Sequence, residues 1–166
     1  MNTQTGTHVQ LSAAAHRSIL EDLARRPTIE ACGILLGRRD EQGNWYVEQA
    51  QALRNVFDSP VYFEFAPEDL LTIELTYPGQ TVGVYHSHPT GYARASSTDR
   101  ENMQRVNKEQ EIPWSWLIVC GPFHEQFFAQ AAGRLPQDSV IAYYHSPEHG
   151  LQQLSLGSLE SRQDDM

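Results

Sequence analysis

Runs of apolar residues broken by polar and turn-forming ones divide this 166-residue chain into a series of short elements. Residues 7–11 read as a short strand. Ser12 then stands where a helix N-cap belongs. SAAAHRSILEDLARR places Ile19, Leu20 and Leu23 on one face, and Pro27 ends the helix. ACGILLGRR, residues 31–39, is an apolar run framed by glycines and reads as a buried strand. DEQGN is a turn and WYVEQAQAL a returning strand, so 31–53 predicts a hairpin. Residues 54–66, RNVFDSPVYFEFA, mix aromatics with a proline and read as a loop plus an edge strand. Pro67 at a first helical position, followed by EDLLTIEL, opens a second helix that Tyr77-Pro78-Gly79 closes.

TVGVYHSH, residues 81–88, is the next strand, and Pro89 cuts it off because it lacks a ladder donor and restricts the residue before it. SSTDRENMQRVNKEQ predicts a third helix with Asp99 in its first turn. SWLIVCG, EQFFAQAAG and SVIAYYH read as further strands, the last near residue 145. From Gly150, LQQLSLGSLESRQDDM is polar with little core material and reads as a frayed tail. The expectation is one domain over 1–149 and a flexible tail over 150–166. Strands and helices without strict alternation predict an α/β or α+β fold, a mixed sheet flanked by helices.

Composition adds limits rather than identity. The length suits one domain with a real core, and 40% hydrophobic with 20% charged residues is ordinary for a soluble globular protein. A net charge of −9 argues against nucleic acid, whose phosphates need a basic face, and against an anionic membrane surface. Cys32 and Cys120 lie far apart in apolar segments, with no CxxC pair, and read as buried thiols. MNTQTGTHVQ carries no secretion signal, and no apolar run reaches the length of a membrane span, so a cytoplasmic location is expected.

The chemistry concentrates in VGVYHSHPTGYARASSTD, residues 82–99. Alternate residues of a strand share a face, so His86 and His88 project together while Ser87 points away. Asp99, at the start of a helix, can reach back toward them. Two imidazoles and one carboxylate form a zinc set that leaves the fourth tetrahedral position open, which is catalytic rather than structural in character. An HxH pair alone is a weak signal, because paired histidines also occur on surfaces and in satisfied cores.

The rest of the constellation sharpens it. HSHP, the seven residues 89–95 between His88 and Ser96, two further residues and then Asp99, with Glu30 upstream in EACGILLG, resemble the JAMM/MPN (JAB) domain zinc metallopeptidases. GILLG and VGVYHSHP are similar to the compact stand-alone bacterial members, and the likeness spans about residues 8–145. The resemblance implies a mixed, mostly antiparallel sheet flanked by helices, similar to the cytidine deaminase fold. It also implies one zinc ion per chain, held by His86, His88 and Asp99, with Glu30 as general base and then acid, and Ser96 as donor to the oxyanion. One departure stands out: Ala95 occupies a position that is proline in many bacterial members. That implies a looser loop, from which Tyr92 and Arg94 could reach over the site.

By the same resemblance the chain is a peptidase or isopeptidase. It would cleave at the C-terminal Gly-Gly tail of a ubiquitin-like or sulfur-carrier protein, working as a monomer or homodimer. Residues 54–66, with Phe57, Tyr62 and Phe63, are the candidate docking segment, although these aromatics could equally cover the core. Two other classes stay open: a non-catalytic MPN scaffold, and a zinc amidohydrolase acting on a small metabolite conjugate. HSPEH at 145–149 matches the HxxEH zinc motif on paper, but that motif needs a helix, and Pro147 and Gly150 oppose one. HEQFF at 124–128 lacks a second histidine, and Cys32 in EACG fits a packed small residue better than a nucleophile.

Overall fold

Seven strands curl into a closed sheet in the computed structural model, which describes residues 7–158. In chain order the elements are β1 (His8–Leu11), α1 (Ala13–Arg25), β2 (Cys32–Arg39), β3 (Trp45–Leu53), α2 (Pro67–Thr76), β4 (Thr81–His88), α3 (Ser97–Met103), β5 (Ser115–Cys120), α4 (Glu125–Ala131), β6 (Val140–Ser146) and β7 (Gly150–Ser158). The spatial order is β1-β3-β2-β4-β5-β6-β7, with β7 returning to pair with β1. Antiparallel pairs join β2–β3, β2–β4, β5–β6 and β6–β7, whereas β1–β3, β1–β7 and β4–β5 are parallel. The expected mixed, mostly antiparallel sheet with helices is therefore present, and it closes on itself.

Two apolar layers hold the sheet. On one face, Leu11, Trp45, Val47, Tyr85, Leu117 and Tyr144 meet the buried stripe of α1 (Ile19, Leu20, Leu23) and Phe127 of α4. On the other, Ile34, Val84, Trp116 and Ile118 lie under Ile73 of α2 and Met103 of α3. Neighbouring residues Val84 and Tyr85 of β4 point into opposite layers, Tyr85 toward α1 and Val84 toward α3. The Tyr85 ring leaves no room for a side chain opposite it: a Cβ on Gly33 would sit 2.4 Å from that ring. Tyr85 donates its hydroxyl to Asp22 at 2.7 Å, and Arg26 bridges Asp22 to the carbonyl of Cys32. This buried chain of contacts ties the end of α1 to the start of β2.

Ser12 caps α1 as expected, accepting from Ala15 N–H at 3.1 Å. Four expectations are corrected. EQFFAQAAG is the helix α4, not a strand: Phe127 and Ala131, four apart, are its buried residues, and left-handed Ala132 and Gly133 end it. Gly150 to Ser158 is not a frayed tail but β7, hydrogen-bonded to β6 on one side and β1 on the other. The tail expected beyond Ser158 lies outside the described residues. Residues 54–66 are loop throughout, without the expected edge strand. The third helix is regular only to Met103, and Gln104–Glu109 continues it as a π-helical turn. Among the described residues no helix is long and apolar enough to cross a membrane.

Candidate metal centre

β4 is buried along almost its whole length and ends in the two histidines, which share the face of Val84 beneath α3. Pro89 and a tight turn follow. Gly91 adopts φ +91°, donates to the carbonyl of His88, and passes so close to Gly121 that a Cβ would lie 3.1 Å from its oxygen. The N–H of Gly121 donates to the same His88 carbonyl at 2.9 Å, so the β4 end is fastened to the β5 exit.

α3 begins with a capping box. Ser96 accepts from the Asp99 N–H at 3.0 Å, and the Asp99 carboxylate accepts from the Ser96 N–H at 2.9 Å. The cap turns Asp99 toward β4. Its two oxygens face one histidine each: Oδ1 lies 3.2 Å from His86 Nε2 and Oδ2 lies 3.0 Å from His88 Nε2. One ligand atom from each of the three residues falls within 4.8 Å of the others, so the group could hold a metal ion.

The hydrogen bonds around the group support that fit. His88 Nδ1 lies 2.8 Å from the carbonyl of Tyr92. A carbonyl only accepts, so Nδ1 carries a proton; Nε2 faces the Asp99 carboxylate, and loss of its proton to an incoming ion would free that nitrogen as a ligand. His86 is 1% exposed, yet neither ring nitrogen has a hydrogen-bond partner among the described residues; its approach to Asp99 is close but misaligned. A buried polar nitrogen without a partner costs about 1–3 kcal/mol, and a coordinated ion would relieve that cost.

Burial and charge set the protonation of the protein's own groups. Glu30, 4% exposed, has its carboxyl pushed up to about 8 by burial, opposed by the charge of His88 and assisted by that of Asp99. Burial lowers His86 despite the nearby carboxylate. For His88 burial opposes the charge, but contacts with Asp99, Cys120 and the Tyr92 carbonyl prevail and raise it to about 10. Burial likewise opposes ionisation of Asp99, yet both histidines and the Ser96 N–H hold it well below the usual carboxylate range. Burial pushes the Cys32 thiol up to about 12, which fits a packed side chain and not a nucleophile.

The structure thus brings together His86, His88, Asp99, Ser96 and Glu30. Phe63 joins them, its ring stacked on His86 with centroids 4.6 Å apart. Tyr92 flanks His88 at 5.9 Å, and Arg94 packs on Tyr92, donating to its hydroxyl. Phe57 sits on the same loop as Phe63 with its side chain exposed. Ala95 does not leave the loop untethered. Its N–H donates to the Tyr143 hydroxyl at 3.1 Å, a bond that proline cannot make. HSPEH forms the turn between β6 and β7, where the N–H groups of Glu148 and His149 both donate to Ser146.

Sequence reasoning missed the supports. Ser87 points away from the histidines, as strand alternation requires, and its hydroxyl accepts from Ala31 N–H at 2.8 Å, next to Glu30. Asn55, Cys120 and Tyr143 act through backbone groups far away in sequence, and no spacing rule signals them.

Comparisons with known proteins bear on the family and the fold. Residues 12–130 match the family described as prokaryotic homologs of the JAB domain. The chain belongs to that family. It is 37% identical over 126 residues to a desampylase of Haloferax volcanii, covering 71% of this chain and 84% of that protein. A desampylase of Pyrococcus furiosus is 33% identical over 106 residues, covering 62% of this chain and 67% of its own. A solved structure described as JAMM, a metalloprotease-like zinc site in the proteasome and signalosome, covers 93% of this chain and 100% of its own, with a TM-score of 0.51 at 18% identity. That likeness concerns the fold. Family and desampylase kinship together make the chain a JAMM-type isopeptidase.

Proposed function

We propose that the chain is a zinc-dependent peptidase or isopeptidase of the cytoplasm that cleaves at the C-terminal Gly-Gly tail of a ubiquitin-like or sulfur-carrier protein. The observation that carries this reading is the convergence of His86, His88 and Asp99 on one point, beside a buried Glu30 whose carboxyl feels the charges of two of them. The kinship with two desampylases supports a protein modifier as substrate.

His86, His88 and Asp99 would hold one zinc ion per chain. When bound, zinc supplies Lewis acidity that acidifies water and polarises a carbonyl. Glu30 accepts the proton of the attacking water on a carboxylate oxygen and delivers it to the departing amine nitrogen. The Ser96 oxygen is occupied as an acceptor of the Asp99 N–H, which leaves its own hydrogen free to donate to the oxyanion. The carrier tail docks along the loop 54–66, where Phe63 walls the cleft. Tyr92, with Arg94 packed on it, borders the other side of His88.

The test is to incubate the zinc-loaded protein with carrier proteins that bear extra residues after Gly-Gly, and to weigh the products. Cleavage after the second glycine is expected; turnover of small amides alone would refute the protein substrate. Glu30→Gln is expected to keep its metal and lose at least about 10²-fold in kcat. Unchanged kcat would remove Glu30 from the proton transfers.

A further inference from the structure

Glu30 is held on both sides by one loop. Its N–H donates to the carbonyl of Ser59 at 2.8 Å, and its carbonyl accepts from Asn55 Nδ2 at 3.1 Å. Asn55 is 1% exposed and its amide is used to capacity. Nδ2 also donates to the carbonyl of Tyr62 at 2.9 Å, while Oδ1 accepts from the N–H groups of Phe57 at 3.0 Å and Glu64 at 3.2 Å. Every partner is backbone. Only a carboxamide offers two donors and two acceptors in one small planar group, so neither serine nor aspartate can reproduce the set.

The consequence reaches both parts of the site. Tyr62 and Glu64 bracket Phe63, whose ring stacks on His86. Asn55 therefore fixes the backbone of Glu30 with one bond and the segment that seats Phe63 with two others. The loop makes no strand ladder, so these bonds do for it what sheet pairing does elsewhere. Across from Asn55, Ser87 and Ala31 exchange bonds at 2.8 and 2.9 Å, which secures the other neighbour of Glu30.

We propose that Asn55 is the positioning residue for Glu30, linking the carboxylate to the loop along which the substrate tail docks. This rests on the reading of Glu30 as general base. A displacement of about 1 Å in a catalytic group costs on the order of 10²-fold in rate, which sets the scale of the expected effect.

The experiment compares the zinc-loaded full chain with Asn55→Asp and Asn55→Ala, by crystal structure, zinc content and steady-state kinetics on a carrier–peptide fusion. Asn55→Asp keeps the acceptors for Phe57 and Glu64 and removes the donors toward Glu30 and Tyr62, so it also carries the test if Asn55→Ala does not fold. In Asn55→Asp the zinc content and ligand positions are expected to match the wild type, the Glu30 carboxylate to move by about 1 Å, and kcat to fall about 30- to 100-fold with KM within about threefold. An unmoved Glu30, or an unchanged kcat at equal zinc content, would overturn the proposal. If the wild type cleaves no such fusion, the substrate reading fails, while the crystallographic position of Glu30 still decides the role of Asn55.

Discussion

Asp99 is held from two directions. It closes the capping box of α3 and meets both histidines, so a helix start and a strand end are locked through one carboxylate. Glu30 differs in kind: it is buried and near those charges, and burial dominates its carboxyl. Its folded-state value of about 8 stands above the usual 4.5. Between those values the folded, metal-stripped chain keeps a proton that the unfolded chain releases. The resulting stability is full below about 4.5 and is lost as pH rises through about 8. Glu30→Gln lacks this dependence. Thermal unfolding of the two metal-stripped proteins should therefore show the wild type losing on the order of 10 °C relative to the variant between pH 5 and pH 9. A constant difference would contradict the burial assigned to this carboxyl. At this scale the sequence was most legible for His86, His88 and Asp99, which depend on period-two alternation and helix-start chemistry, whereas Glu30 and Ser96 entered through the family resemblance. Asn55, Ser87 and Tyr143 were not legible, since their partners are main-chain groups or lie tens of residues away.

Among the elements, legibility followed the strength of local signals. Ser12, Pro67 and Pro89 marked boundaries that the structure keeps. α4 was misread because FFA is a short apolar run that suits strand or helix equally, and only the tertiary contacts of Phe127 and Ala131 decide. β7 was misread because its side chains are largely polar and Leu154 alone among them is buried. Its stability comes from backbone pairing on both sides, which composition does not display. This gives a prediction about truncation. A chain ending at residue 149 leaves β6 and β1 each with one unpaired edge, and is expected to lose cooperative thermal unfolding and to aggregate. Wild-type unfolding by the truncated chain would return 150–158 to the role of a dispensable tail.

For the whole molecule, closure of the sheet is what the sequence could not reveal, since it depends on β1 and β7 meeting from opposite ends of the chain. Closure leaves β4 flanked by β2 and β5, and the end of that interior strand is where the histidines stand. α3 lies across this end and the 54–66 loop closes beside it. The cleft thus draws on segments near residues 30, 60, 87 and 97, each anchored to the same core. Purified protein reconstituted with zinc and dialysed, then measured for metal beside His88→Ala, tests the centre of this picture most directly. About one zinc per chain is expected in the wild type, with little left in the variant. A wild-type protein that retains no zinc, or a His88→Ala variant that retains as much, would contradict it.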